Sequence, residues 1–160
     1  MDPRTIEPLQ AMLGVAKSRR YRVDARDIRR FAQAIGATDP IHHDEDYART
    51  TPAGRLVAPP LFCQVFAFED VWADRLPEDG TPIELVVPIP AHRSVGGGSE
   101  YEIHRCVMEG DEITVTSRLL DVYAKEGRSG PLFFVVVETI FEDRDGERVA
   151  RETATYVKRP

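Results

Sequence analysis

The chain has 160 residues, of which 42% are hydrophobic and 30% charged, a balance that favours one globular domain and excludes a disordered chain. Its net charge of −6 and the lack of a long Lys/Arg run exclude the charge pattern of a nucleic-acid-binding protein. The first residues have no apolar signal region, and no apolar stretch reaches the roughly 18 residues of a membrane span. We therefore expect a cytoplasmic protein that contacts neither nucleic acid nor membrane.

The chain is predicted to consist of an N-terminal extension, residues 1–18, and one domain, residues 19–160. A short helix near residues 5–13 is expected within the extension, ended by Gly14. Residues 21–23 then alternate in polarity, as an entering strand would.

A second helix is predicted immediately after this strand. Asp24 can accept the free N–H groups of a first helical turn, and Gly36 can adopt the left-handed conformation that ends a helix. Between them, apolar residues recur at helical spacing and predict a helix of about 12 residues: Ile28, Phe31, Ala32 and Ile35. The loop 37–43 and a short helix from residue 44 to residue 49 follow.

The next segment is apolar on nearly every side. Two prolines, Pro59 and Pro60, precede residues 61–76, and proline is tolerated at the start of a helix, where its missing N–H costs nothing. A helix that is apolar all round must be enclosed by other elements. We therefore predict a long central helix that is packed against a sheet.

The C-terminal half supplies that sheet. Five segments are rich in Val, Ile, Thr, Tyr and Phe, and turn signals separate most of them: residues 83–87, 99–107, 112–125, 132–141 and 148–158. Short connections of this kind make antiparallel neighbours. The predicted fold class is therefore α+β, a hot-dog domain in which a five- to six-stranded antiparallel sheet wraps round one hydrophobic helix.

Four sequence blocks resemble, in their order along the chain, the MaoC-like acyl-thioester hydratases and dehydratases, and in particular the N-terminal-type MaoC dehydratase domain. They are residues 31–42, 56–62, 97–111 and 123–146, and together they cover roughly residues 20–159. The resemblance implies reversible, (R)-specific addition of water to the 2,3 double bond of an acyl thioester on coenzyme A or an acyl carrier protein.

The resemblance also implies how that chemistry is done. A histidine and an acidic residue hold one water and move a proton at the α-carbon, while backbone N–H groups at the start of the central helix stabilise the thioester enolate. No metal or other cofactor is needed, and His, Cys and carboxylates never fall at metal-ligand spacing. Cys63 and Cys106, which lack CxxC spacing, are expected to be reduced core residues.

The motif places His42 at the catalytic histidine, and Asp39 is the second catalytic candidate. The other interpretation of His42 is a loop histidine that bonds the backbone. The residues expected to contact substrate lie before and within the central helix and in the glycine run: Gly54, Val57, Ala58, Pro60, Leu61, Phe62, Gly97 and Gly98. The glycine run fits a bulged strand entry equally well.

The chain departs from the motif at two positions. Ala37 stands where the motif has its aspartate, and Pro60 withholds the backbone donor expected at the helix start. Asp39 replaces the missing carboxylate if the loop is shifted. The missing donor can come from Leu61 or from the Arg55–Val57 segment that leads to the helix. The Ala58-Pro59-Pro60 form resembles the N-terminal halves of two-domain hydratases and the non-catalytic subunits of heterodimeric ones, which bind the acyl chain and leave acid–base work to a partner.

Three functions therefore compete: a hydratase or dehydratase, an acyl-binding subunit of a heteromeric dehydratase, and a repurposed hot-dog enzyme such as a thioesterase or polyketide tailoring enzyme. A thioesterase needs a carboxylate on the central helix, for which Glu69 and Asp70 are the candidates. Because a hot-dog sheet has an exposed edge strand, we expect a homodimer or a heterodimer with another hot-dog subunit. In every case the ligand is an acyl thioester, and His42 and Asp39 are expected to face a tunnel between the central helix and the sheet.

Overall fold

The computed structural model describes residues 10–67, 72, 74, 76, 93–128 and 130–159. These residues form two α-helices, two 3-10 helices and five strands. In chain order they are β1 (Ala16–Arg22), α1 (Ala25–Ile35), the 3-10 turn Pro40–His42, α2 (Glu45–Thr50), the 3-10 helix Pro60–Phe66, β2 (Arg93–Ile103), β3 (Glu112–Gly127), β4 (Gly130–Asp143) and β5 (Arg148–Arg159).

The five strands form one antiparallel sheet in the order β1-β3-β4-β5-β2. Consecutive strands β3, β4 and β5 are neighbours, and β1 and β2 form the two edges of the described sheet. This arrangement confirms the predicted α+β class. The predicted strand at residues 83–87 lies outside the described residues, and so does most of the helix predicted near residues 5–13.

Helix α1 has the ends that the sequence predicts. The Asp24 carboxylate accepts a hydrogen bond from the Arg26 N–H at 2.7 Å, and Gly36 ends the helix with a φ of 70°. Its inward residues Ile28 and Ala32 are buried. Asp44 caps α2 in the same way, by accepting the Tyr47 N–H at 3.0 Å. The capped ends of α1 and α2 therefore fix the position of the loop that joins the two helices.

The start of the predicted central helix differs from expectation. Residues Pro60–Phe66 form a 3-10 helix, and Leu61 within it has non-helical dihedral angles. Pro59 is extended, as the residue before a proline usually is. The first hydrogen bond of the 3-10 helix joins the Phe62 N–H to the Pro59 carbonyl at 2.9 Å. Most of the predicted helix beyond Ala67 lies outside the described residues.

Aromatic rings pack this 3-10 helix against the rest of the domain. Phe62 meets Phe31 of α1 edge-on, with 5.7 Å between ring centroids, and meets Phe66 at the same distance. Phe66 in turn stacks on Tyr21 of β1 and touches Phe141 of β4. The 3-10 helix, α1 and the sheet therefore share one hydrophobic core.

The predicted strand at residues 99–107 is shifted towards the N-terminus. Strand β2 ends at Ile103, after which the N–H groups of His104 and Arg105 both donate to the Val149 carbonyl of β5. The Val107 carbonyl instead accepts the Ala58 N–H at 2.8 Å. Local β propensity predicted a continuous strand here, but pairing with a distant segment determined where the strand ends.

A buried carboxylate on β4 binds its two neighbouring strands together. Glu138 is 3% exposed and accepts hydrogen bonds from Arg118 of β3 and, at 2.9 Å, from Arg151 of β5. Burial by itself would raise the pKa of Glu138, but the two guanidinium groups outweigh it and hold that pKa below its ordinary value. The ionised form is therefore stabilised by folding.

We expect Glu138→Gln to lower the free energy of unfolding at pH 7 by about 1–3 kcal/mol, the usual worth of hydrogen bonds to a charged group. Because the folded pKa is lowered, this stabilisation is complete above the unfolded pKa, near 4.5, and is lost as the pH falls through the folded pKa. Urea unfolding of both proteins from pH 7 to pH 3 measures this. The exposed Glu126→Gln is the control, and identical pH profiles for wild type and Glu138→Gln would contradict the assignment.

Candidate active site

The loop between α1 and α2 is built by two short-range caps. After Gly36 reverses the chain, the Ala37 N–H donates to the Ala32 carbonyl at 2.9 Å. Asp39 then caps the 3-10 turn, because its Oδ1 accepts the Ile41 N–H at 3.0 Å. One oxygen of this exposed carboxylate is therefore engaged in local structure. The backbone carbonyl of Asp39 accepts a second hydrogen bond, from the His42 N–H at 3.1 Å.

His42 is held in a defined orientation by a backbone carbonyl. Its Nδ1 lies 2.6 Å from the Val57 carbonyl oxygen, and the side chain is half-buried. A carbonyl oxygen can only accept a hydrogen bond, so Nδ1 must be the protonated nitrogen. In the neutral imidazole, Nε2 then carries the free lone pair. The geometry thus presents Nε2 of His42 as a base.

The segment that holds His42 is itself fixed to the end of the sheet. The Val57 N–H donates to the Ile41 carbonyl at 3.1 Å, and Val57 forms an isolated antiparallel bridge with Met108. On either side of this bridge, Glu109 donates to Leu56 and Ala58 donates to Val107. Residues 56–58 and 107–109 therefore form a rigid platform beneath the His42 turn.

A buried aspartate holds the platform together. The Asp111 carboxylate accepts hydrogen bonds from Arg55 at 3.0 Å, from Arg105 at 2.7 Å and from the Met108 N–H at 3.1 Å. Arg105 also pairs with Asp143 at the end of β4. Because the Asp111 carboxylate accepts hydrogen bonds from three donors in two parts of the chain, it connects the loop before the 3-10 helix to the sheet.

The structure brings most of the predicted site residues together on consecutive segments. His42, Asp39 and Val57 are linked by hydrogen bonds, and buried Ala58 follows them. Gly54, with a φ of 66°, forms the exposed turn that precedes the platform. Of the 3-10 helix residues, Pro60 and Leu61 are exposed, whereas Phe62 is completely buried and its ring fills the core.

The start of the 3-10 helix leaves one backbone donor available. The Ala58 N–H is used by Val107, and Pro59 and Pro60 have no N–H. The Phe62 N–H donates to Pro59, so Leu61 carries the first N–H that has no acceptor within the described part of the chain. Leu61 is one of the two replacements that the sequence suggested for the donor lost at Pro60. Of the other, the Arg55–Val57 segment, the Val57 N–H already donates to Ile41.

The glycine run lies elsewhere. Gly97 and Gly98 belong to the edge strand β2, where the register with β5 shifts between Gly96 and Gly98. A Cβ on Gly97 would lie 3.0 Å from the Thr155 carbonyl oxygen, and Gly98 has a φ of 134°. The described neighbours of these glycines are residues of β5 and not the His42 loop. The run is a β-bulge, one of the two interpretations that the sequence left open.

The tunnel expected beside His42 and Asp39 stays a prediction. Neither His42 nor Asp39 lines the cleft around Arg55, Arg105 and Asp143 or the cleft around Arg93 and Arg159. Within the described ranges, no cluster of His, Cys, Asp and Glu is placed to hold a metal ion. No helix in those ranges has the length and apolar character required to cross a membrane.

Sequence reasoning missed one polar cluster on the inner face of the sheet, the Glu152 cluster, formed by Glu152, Gln64 and Tyr101. Glu152 is 4% exposed, and Gln64 of the 3-10 helix donates to its Oε1 at 3.3 Å. Tyr101 of β2 lies directly opposite Glu152 in the strand register. A signal was present, because the alternation of β5 places this glutamate between the inward residues Ala150 and Ala154.

Cys63 lies near this cluster and is an unsuitable nucleophile. Burial raises the pKa of its thiol to about 12, and the negative charge of Glu152 acts in the same direction. The thiol therefore stays protonated at neutral pH. Both cysteines are free, as the sequence predicts, but Cys63 is a core residue whereas Cys106 is only partly buried.

A family model of the FAS1-like dehydratase domain region matches residues 11–152 of the chain. The UPF0336 protein Lxx02810 of Leifsonia xyli subsp. xyli is 32% identical over 142 residues, which are 87% of this chain and 86% of that protein. A probable enoyl-CoA hydratase alpha subunit of Thermomonospora curvata is 29% identical over 131 residues. That match covers 78% of this chain and 41% of the longer relative.

Solved structures show the same fold. The MaoC-like dehydratase of Rhodospirillum rubrum superposes with a TM-score of 0.61 at 27% identity, covering 92% of this chain and 94% of that one. A chain of the ChsH1–ChsH2 complex of Mycobacterium tuberculosis gives 0.73 at 23% identity, with 98% and 94% covered. The HadBC (3R)-hydroxyacyl-ACP dehydratase complex of the same organism gives 0.69 at 22% identity, with 91% and 96% covered. The chain therefore belongs to the family of the FAS1-like dehydratase domain region, and its domain has the hot-dog fold of the MaoC-like dehydratases.

Proposed function

We propose that the protein catalyses reversible, (R)-specific hydration of an enoyl thioester to a 3-hydroxyacyl thioester, carried on coenzyme A or an acyl carrier protein. The observation that carries the proposal is the hydrogen bond between His42 Nδ1 and the Val57 carbonyl, which leaves Nε2 as a base. The family match, and the names of the relatives as hydratases and dehydratases, support the reaction class. The mechanism calls on no metal or other cofactor.

In the dehydration direction, Nε2 of His42 takes the proton from the α-carbon of the 3-hydroxyacyl thioester. The electron pair of the broken C–H bond moves towards the thioester oxygen. The Leu61 N–H donates a hydrogen bond to this oxygen and stabilises the enolate. The enolate then expels the 3-hydroxyl group, which leaves as water after it receives the proton from Nε2. Hydration follows the same path in reverse, and the imidazole returns to its starting state.

Asp39 is the proposed second acid–base residue. One of its oxygens caps the 3-10 turn, and the other makes no hydrogen bond within the described part of the chain. That second oxygen can orient the water that adds to the double bond. Gly54, Val57, Ala58 and Pro60 would then shape the space beside His42, while the buried Phe62 ring would support that space from the core. Gly97 and Gly98 stay candidates for a contact with the pantetheine arm, from the edge strand.

The second candidate function is that of an acyl-binding subunit in a hot-dog heterodimer. Ala37 provides no carboxylate, and the Asp39 side chain caps a backbone turn instead of bonding to His42. The names of two structural neighbours describe complexes of two different subunits, which supports a hot-dog partner for this chain as well. The thioesterase alternative depends on Glu69 and Asp70, which lie outside the described residues.

Two substitutions separate these candidates. If the chain is a complete hydratase, the isolated protein hydrates crotonyl or longer trans-2-enoyl thioesters. In that case Asp39→Asn lowers the hydration rate by about 10²-fold, and Ala37→Asp leaves the rate equal to that of wild type or higher. The loss of the enoyl-thioester absorbance measures each rate. Asp46→Asn, which removes an exposed carboxylate of α2, serves as the matched control and should leave the rate unchanged. An inert wild type that still binds acyl thioesters would instead identify a binding subunit.

A further inference from the structure

A cationic cleft lies at the end of the sheet opposite to the platform. The cleft around Arg93 and Arg159 is also lined by Arg128 and has a volume of about 390 Å³. Arg93 begins β2, Arg159 ends β5, and Arg128 lies at the tip of the β3–β4 hairpin. This volume is within the range of pockets that bind small organic molecules, roughly 300–1,000 Å³. The arginine cleft, defined by these three arginines, is therefore large enough to be a binding site.

The arginine cleft is separate from the candidate active site of the same chain. Strand β4 runs from the cleft, which Pro131 lines, to Asp143, which pairs with Arg105 beside the platform. This length of strand corresponds to roughly 40 Å, at about 3.3 Å per residue. The function of the cleft must therefore be sought in its own residues and not in the chemistry at His42.

The positive charge of the cleft is not neutralised by the protein. Within the described part of the chain, none of its three arginines forms an ion pair. Arg105, Arg118 and Arg151 in the same sheet region, by contrast, each pair with a carboxylate. No aspartate or glutamate is found among the described residues that line the cleft. An anion from outside the protein can therefore supply the missing negative charge.

The strand register holds two of the arginines against each other. Arg93 and Arg159 are directly opposite in the β2–β5 pair, so their side chains leave the same face of the sheet. Like charges that are directly opposite in an antiparallel pair destabilise the sheet. A bound anion between the two guanidinium groups would remove this repulsion. The folded chain thus has an arrangement that an anion stabilises.

A phosphate group fits this arrangement better than a carboxylate. A phosphate monoester carries about −1.5 to −2 charges at pH 7 and has three strong acceptor oxygens, one for each guanidinium. A carboxylate has a single charge and only two oxygens. Three arginines around one cleft therefore match the charge and the oxygen count of a phosphate monoester.

The rest of the lining leaves room for an organic group. Gly127 and Gly130 contribute no side chains, and a Cβ on Gly127 would lie only 2.9 Å from the Gly130 carbonyl oxygen. Pro131 and Leu132 add apolar surface beside the arginines. We propose that the arginine cleft is a second binding site, which takes a small organic phosphate monoester. The site goes beyond the proposed hydration and does not depend on it.

Isothermal titration calorimetry at low salt tests this site, because salt screens exposed charges. The probes are adenosine 5′-monophosphate, adenosine and inorganic phosphate. Wild-type protein should bind the monophosphate about tenfold or more tightly than adenosine, and more tightly than inorganic phosphate. Arg93→Gln and Arg159→Gln should each weaken binding of the monophosphate by about tenfold or more, since each removes hydrogen bonds to a charged group.

Arg148→Gln is the matched control. Arg148 is an exposed arginine at the other end of β5, so its replacement changes the net charge equally without touching the cleft. This variant should keep the wild-type affinity. Equal binding of adenosine and its monophosphate, or an equal loss in all three variants, would overturn the site. Equal binding of inorganic phosphate and the monophosphate would overturn the organic ligand.

Two further measurements separate this inference from folding and from the proposed reaction. Arg159→Gln should be at least as stable as wild type in urea, because it removes one of two opposed positive charges. It should also leave the KM for hydration of an enoyl thioester unchanged. An increased KM would show that the cleft binds the substrate itself, and would overturn a separate site. An inactive wild type would count against the proposed function alone, since the calorimetry does not require turnover.

Discussion

His42→Ala is expected to lower the rate of enoyl-thioester hydration by about 10²–10⁴-fold, the usual worth of a positioned acid–base group. The reason is the loss of Nε2, the basic nitrogen that the Val57 carbonyl orients. Neither the platform nor the caps of the loop depend on the imidazole, because they are formed by backbone groups and by the Asp39 and Asp111 carboxylates. The steady-state rate with crotonyl or longer trans-2-enoyl thioesters measures the effect.

His43→Ala is the matched control for this experiment. His43 is exposed, and its Nε2 lies 3.4 Å from the Thr38 carbonyl, at the limit of a hydrogen bond. Its removal should leave the rate close to that of wild type. If wild type and His42→Ala hydrate the thioester at equal rates, His42 has no place in the mechanism, whatever the fold.

Phe62→Ala is expected to have the largest effect on stability, a loss of about 3–5 kcal/mol in the free energy of unfolding. Phe62 is completely buried, and its ring contacts Phe31 of α1 and Phe66 of the same 3-10 helix. Truncation leaves a cavity between three elements that cannot all close on it. Because a domain of this size has only about 5–15 kcal/mol of stability, the variant should be measured by urea unfolding at low temperature.

Val65→Ala provides the comparison within the same 3-10 helix. Val65 is 42% exposed, so its truncation should cost less than about 1 kcal/mol. If Phe62→Ala lowers the free energy of unfolding no more than Val65→Ala does, the packing of the Phe62 ring does not stabilise the 3-10 helix against the core.

Local signals were sufficient to predict α1 and most of the sheet. Asp24 and Gly36 encode the two ends of α1 through hydrogen bonds and dihedral angles that depend only on neighbouring residues. The alternation of inward and outward residues in β3, β4 and β5 is equally local, since successive side chains of a strand point to opposite faces. These features need no knowledge of the rest of the chain.

The arrangement of the candidate site could not be predicted in the same way. His42 could be aligned with a catalytic motif, but its carbonyl partner belongs to Val57, 15 residues later, and the sequence has no signal for that contact. Asp39 was predicted as an acid–base residue, and the turn that it caps was not anticipated. The importance of Glu152 depends on which residues face it from β2 and the 3-10 helix, a property of the packed structure alone.

The platform beneath His42 has a consequence for the order of folding. Strands β3, β4 and β5 pair with their neighbours along the chain, so their contacts form with short loops. The platform instead joins residues 56 positions apart at Arg55 and Asp111, and β1 meets β3 across 98 positions at Ser18 and Thr116. Closing such long loops costs more entropy and is slower. On the ribosome, the His42 turn therefore emerges well before its support exists, and it acquires its final geometry only after the C-terminal strands have been synthesised.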